Sequence, residues 1–145
     1  MKVEEIRAIL SGSDVEEKTE VLSHLCDVFE SYNNSIDNFK EIIIALLDFG
    51  FKEDNLVIKE EIFNAILTAA TYKNIDEINF DILAYNLDTL PEECFHSALT
   101  ILGFTFKKDY LFYLTKYLDH ENGSIRADAI NAINEIEGYW AKKQE

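Results

Sequence analysis

The chain has 145 residues, a length suited to one domain, and 48% of them are hydrophobic, which excludes wholesale disorder. One proline and five glycines leave little to interrupt helices. The formal charge of −15, with 13 Lys and Arg against 28 Asp and Glu, makes nucleic acid a poor direct partner and favours a basic protein.

Apolar spacing predicts a first helix carrying Val3, Ile6, Ile9 and Leu10 on one face and stopping at Ser11-Gly12. Ser13 is the expected cap of a second helix, with Glu16 closing a capping box, and Val15, Val21, Leu22, Leu25, Val28 and Phe29 as its apolar positions. Residues Tyr32 to Ser35 form a break. A third helix, capped by Ser35 or Asp37, buries Phe39, Ile42, Ile43, Leu46 and Leu47, and Gly50 is expected to end it with positive φ. A fourth runs from Leu56 to Tyr72 and buries Ile58, Ile62, Phe63, Ile66, Ala69 and Ala70. A fifth spans Asp76 to Leu87. A sixth starts with Pro91 in its first turn, buries Cys94, Phe95, Ala98, Ile101 and Leu102, and ends near Gly103. A seventh, Asp109 to Asp119, turns Leu111, Leu114 and Leu118 inward. After Asn122-Gly-Ser124, with Ser124 as cap, an eighth reaches Lys142. Strand alternation bounded by tight turns is missing, so the expected class is all-α.

A short segment recurs along these helices: Glu20-Val-Leu-Ser-His-Leu25, Glu61-Ile-Phe-Asn-Ala-Ile66, Glu93-Cys-Phe-His-Ser-Ala98 and Asp128-Ala-Ile-Asn-Ala-Ile133. Each copy opens on an acid and continues with two apolar residues. The copies start roughly 30 to 40 residues apart, the period of a stack of helix pairs. The stretch Tyr110 to Ile136 resembles a HEAT or armadillo-type unit. Ile125-Arg126 stands where that family favours an aliphatic residue and a cation opening the second helix; Ile58-Lys59 repeats it, and Glu17-Lys18 and Leu90-Pro91 are degenerate versions. The Trp, Leu-Gly and Tyr pattern of tetratricopeptide units is missing. The resemblance implies a right-handed α-solenoid of four antiparallel helix pairs in one domain, 1–145, whose second helices form a concave contact wall.

On that wall the polar stripe comprises Glu16, Glu20, Ser23, Asp27 and Glu30 in the first copy, and Glu61, Asn64 and Thr68 in the second. Glu93, His96 and Thr100 follow in the third, then Asp128, Asn131 and Glu135 in the fourth. The candidate partner-binding residues are Glu16, Glu20, Asp27, Glu61, Asn64, Glu93, His96, Asp128, Asn131 and Glu135. Acids early in a helix also complement its dipole, a purely structural reason for their presence. Residues 74–106 hold no Lys or Arg but include Asp76, Glu77, Asp81, Asp88, Glu92 and Glu93, a one-sign field that would speed encounter with a basic partner.

Other chemistry is weakly written. Glu93-x-x-His96 has di-iron carboxylate spacing but no second copy. His24, His96 and His120 show no matched nucleophile and orienting acid. Cys26 and Cys94 sit at apolar positions without a CxxC, so no metal and no cofactor is expected. The aromatics Phe104, Phe106, Tyr110, Phe112, Tyr113, Tyr117, Tyr139 and Trp140 crowd the C-terminal third, mostly as packing, with any exposed ones suited to anchor an interface. Met1-Lys-Val-Glu-Glu has acids where a secretion signal needs cations, and the longest apolar run, Ile42 to Leu47, cannot span a membrane; a cytoplasmic location is expected.

In size, charge and HEAT-like helices the chain is similar to bacterial immunity proteins of the contact-dependent inhibition type, which bind a cognate toxin, often a nuclease. The expected function is thus a non-enzymatic acidic module that neutralises a basic protein, with a HEAT-type adaptor subunit of a cytoplasmic complex as the alternative. DNA-base glycosylases with HEAT-like folds carry basic grooves, whereas the expected concave rows here hold no Lys or Arg apart from Lys18, Lys59 and Arg126 near their edges.

Overall fold

The computed structural model describes residues 1–33 and 35–144; Asn34, inside the break expected at Tyr32 to Ser35, lies outside the described residues. All regular structure among the described residues is helical, in eight α-helices and three short 3-10 turns. The chain forms two compact units, Met1–Ile78 and Asn79–Glu145.

The first unit holds α1 (Val3–Ser11), α2 (Val15–Glu30), α3 (Phe39–Lys52) and α4 (Leu56–Tyr72). α4 packs against both α2 and α3, and α1 lies on α2 and α3. Its centre is Ile6, Leu22, Leu25, Phe29, Ile43, Leu46, Ile62, Phe63 and Ile66, all buried. Each such side chain contributes about 1.5–3 kcal/mol by leaving water. Of the expected apolar positions on α2, Val15 stands 48% exposed, because it is the first helical residue and the core begins a turn later.

In the first unit the caps differ from expectation in two places. Asp14, not Ser13, caps α2: its carboxylate accepts from Glu17 N at 3.1 Å, which shifts the cap by one residue and leaves Glu16 outside a capping box. Asn38, not Ser35 or Asp37, precedes α3, in the left-handed region at φ 59, a conformation that asparagine tolerates. Gly50 lies within α3 and has no positive φ. Its role is steric. A Cβ there would meet Phe63 Cζ at 3.0 Å and Ile62 Cγ2 at 3.2 Å, so glycine permits the close approach of α3 to α4.

Two lysines fasten the end of α3. Lys59 Nζ donates to the carbonyls of Gly50 (2.7 Å), Phe51 (3.1 Å) and Glu53 (3.2 Å), satisfying groups that a helix C-terminus leaves open. Lys18, buried on α2, meets Glu53 Oε1 at 2.7 Å.

The second unit holds α5 (Asp81–Tyr85), α6 (Phe95–Phe104), α7 (Leu111–Thr115) and α8 (Gly123–Lys143). α6 packs along α8, with α7 also against α8 and α5 against α6. Gly103 makes the α6–α8 approach possible, since a Cβ there would stand 2.9 Å from Ala132 Cα. The fifth helix is far shorter than the expected Asp76 to Leu87. Asn74 Oδ1 accepts from Asp76 N and Asn79 Oδ1 from Asp81 N, both at 2.8 Å, so asparagine turns compete with helix until Asp81. A 3-10 turn, Leu87–Thr89, follows.

The seventh helix is likewise a 3-10 turn, Lys108–Tyr110, plus five α-helical residues, and Leu118 beyond it is 36% exposed instead of inward. Pro91 stands just before a 3-10 turn, Glu92–Cys94, that leads into α6. Asn122 caps α8, accepting from Ser124 N at 2.9 Å; Ser124 is already inside the helix. Ile125 is buried, and Arg126 Nη1 donates to the carbonyls of His120 and Glu121. Ile58 and Lys59 act alike in the first unit: the aliphatic residue enters the core and the cation caps carbonyls of the preceding segment.

Candidate protein-binding surfaces

In the first unit Glu16, Glu20 and Asp27 are exposed on α2, and helical spacing sets them on one side. Among the described residues, none of these three, nor Glu30, forms an ion pair with a Lys or Arg. Several cations of this unit are held elsewhere. Lys18 is bound to Glu53, Lys59 to backbone carbonyls, Lys73 to the Ser31 carbonyl, and Lys52 to Asp48 at 3.2 Å. The unit carries more than twice as many acids as Lys and Arg, so the α2 row keeps its negative field.

On α4, Asn64 is exposed but Glu61 is half-buried. Glu61 Oε2 is shielded from solvent and has no hydrogen-bond partner among the described residues. Its charge reaches the Cys26 thiol on α2. Burial pushes that thiol up from its ordinary pKa, a hydrogen bond with Thr68 opposes the shift, and Glu30, Asp27 and Glu61 add to it. These surroundings disfavour the thiolate of Cys26.

In the second unit Glu93 and His96 are exposed, while Asp128 is half-buried. His96 Nδ1 and Asp128 Oδ1 are 3.0 Å apart, so the candidate residues of α6 and α8 meet directly. His96 thus engages Asp128 from another helix. Asn131 and Glu135 are exposed and line an open cleft of about 590 Å³ with Phe106, Gly138, Tyr139 and Lys142. Among the described residues no group of His, Cys, Asp and Glu is placed to hold a metal ion.

Two aromatic clusters accompany these rows. At the end of α8, Phe106 and Tyr139 stack with centroids 4.6 Å apart, and Trp140 Nε1 donates to the Phe106 carbonyl at 2.7 Å. Phe106 has a φ of 56, a left-handed conformation that costs a non-glycine residue roughly 1–2 kcal/mol and is fixed here by those two contacts.

The other cluster is on α5 and α7. Ile82 is 43% exposed, Tyr85 57% and Phe112 68%, and Tyr113 is half-buried. Tyr113 lies 5.3 Å from both Tyr85 and Phe112. Lys116 Nζ stands over the Phe112 and Tyr113 rings at 5.5 and 5.7 Å. The density of aromatics is plain in the sequence; that Tyr85 and Phe112 face water depended on how short α5 and α7 are.

No protein-family model, curated protein or solved structure matches this chain. Among the described residues no helix is long and apolar enough to cross a membrane.

Proposed function

We propose that this protein is an acidic binding module that neutralises a basic protein partner, in the manner of an immunity protein that blocks a bacterial toxin in the cytoplasm. The observation that carries this reading is the α2 row, Glu16, Glu20 and Asp27, exposed and without ion pairs to Lys or Arg among the described residues. Such a row attracts a cationic surface from a distance and repels acidic ones. A nuclease is cationic where it grips phosphate, so an acidic surface can cover that site.

A HEAT-like solenoid of helix pairs is the architecture we attach to this function. The support is local: Ile58-Lys59 and Ile125-Arg126 do the same work at the starts of α4 and α8. Binding of this kind needs no catalytic centre.

The test is co-purification of the tagged chain from its native host, followed by mass spectrometry, in parallel with a Glu16→Lys, Glu20→Lys, Asp27→Lys variant. We expect a cationic companion that the variant loses. A companion of acidic or neutral character, or one retained equally by the variant, would overturn the reading. Recovery of a stable multisubunit assembly would point instead to an adaptor.

A further inference from the structure

The exposed aromatics on α5 and α7 have no structural task that accounts for their exposure. Leaving Phe112 at 68% and Tyr85 at 57% forgoes the burial that the same rings would gain in a core. Their surroundings are acidic. Asp81 and Asp109 lie near enough to Tyr85 to push its hydroxyl pKa up. Asp88, exposed, shares a small cleft of about 100 Å³ with Tyr85, Tyr113, Lys116 and Tyr117.

Lys116 shows how this surface treats a cation. Its ammonium stands over Phe112 and Tyr113 within the range where ring faces attract positive charge. A longer cation from outside would find the same rings and, in addition, the Asp88 carboxylate. Lys116 then competes with it.

We propose that the α5–α7 face is the anchor for the basic polypeptide partner. A segment carrying Lys or Arg beside a large apolar side chain lays the apolar group on Phe112 and Tyr85, and its cation enters the Tyr85–Tyr113 cleft opposite Asp88. The inference rests on the binding-module reading and adds to it the site of tight contact. The α2 row supplies long-range attraction, and the aromatic face supplies the buried contact that slows dissociation. Charge decides against two other occupants. A second copy joined by a two-fold axis would bring a second set of Asp81, Asp88 and Asp109 into the same contact. An anionic lipid surface would meet the same carboxylates.

The experiment displays a random 16-residue peptide library against the full chain at low and moderate salt. Selected peptides are then titrated against wild type, Phe112→Ala, Lys116→Gln and the triple α2 variant Glu16→Lys, Glu20→Lys, Asp27→Lys. We expect the selected peptides to be cationic and to carry at least one Leu, Phe or Trp. Phe112→Ala should weaken them tenfold or more, and Lys116→Gln should strengthen them two- to fivefold by removing the internal competitor.

Cationic peptides that the α2 variant loses but Phe112→Ala does not would sink this inference and leave the module reading standing. Uncharged or acidic peptides lost with Phe112→Ala would sink both. Absence of any enriched peptide would overturn the anchor. So would sedimentation showing a wild-type dimer that Phe112→Ala dissociates, because a second copy would then cover the face.

Discussion

The two units differ in how they hold their phenylalanines: those of the first are buried or half-buried, whereas the second leaves Phe112 in water. In the first, Phe29 and Phe63 are fully buried between helices of 14 to 17 residues. In the second, Phe80 and Tyr110 are buried, yet Tyr85 and Phe112 face water on helices of five residues. Helix length explains the difference. A five-residue helix makes about one and a half turns, so only one narrow stripe can reach the core. On α5 that stripe is Leu83 and Ala84, and on α7 it is Leu114; their neighbours are left outside. Long helices repeat the inward stripe and can bury many large groups. Short ones leave more of them outside, although the last turn of a long helix can do the same, as Tyr72 on α4 shows.

The comparison can be broken most decisively with a pair of alanine substitutions. Phe63→Ala should cost ~3–5 kcal/mol in denaturant unfolding, because α3 and α4 close on that ring through Gly50. Phe112→Ala should change stability by only about 0.5 kcal/mol or less, as expected for an exposed site. Equal losses would mean that the aromatic face is structural.

Next in size is the fastening of the short helices. Tyr110 donates its hydroxyl to Asp81 Oδ1 at 2.8 Å and joins the start of α7 to α5. Removing it in Tyr110→Phe should cost about 1.5–3 kcal/mol, the range for a hydrogen bond to a charged group. Burial pushes the Tyr110 hydroxyl pKa well up, and the neighbouring Asp81 adds to the shift. The sign follows from the proton. The folded state holds it more tightly than the unfolded chain, so the contribution is complete below the ordinary tyrosine pKa near ~10 and is lost as pH rises beyond it. Wild type should therefore lose stability in that alkaline window, and Tyr110→Phe should lose less of it, as read by melts between neutral and strongly alkaline pH.

Gly103→Ala should cost about 1–3 kcal/mol, because its new methyl would strike the backbone of Ala132, which cannot turn aside as a ring can. Smallest is Asp14→Ala, at about 1 kcal/mol for a lost N-cap, while Ser13→Ala should be near neutral. A reversal of those two results would restore Ser13 as the cap.

Much of this was legible from periodicity. α1, α2 and α4 sit where the apolar spacing put them, since long amphipathic helices declare themselves through many residues at once. Failures gathered where few residues decide. Apolar periodicity overextends the fifth helix, because it does not register that Asn74 and Asn79 bond the nearby backbone. Gly50 reads as a helix stop because a glycine near a helix end and a glycine under a neighbouring ring look alike in one dimension.

The candidate rows were legible as a pattern, not as an environment. Spacing placed Glu20 and Glu61 at equivalent positions, yet Glu20 is exposed and Glu61 half-buried near Cys26. Nothing in the four segments distinguishes those two acids. The meeting of His96 with Asp128 required two helices that are distant in sequence to come together. The exposed face of α5 and α7 followed from the shortness of both helices, which asparagine turns account for at α5.

Trp140 is the chain's sole tryptophan, and its indole is tied to the carbonyl of a residue in an uncommon backbone conformation. The molecule thereby contains its own optical gauge. Its ultraviolet emission originates at one spot, where the end of α8 grips the turn at Phe106. Release of that turn would redden the signal even if every other helix stayed formed.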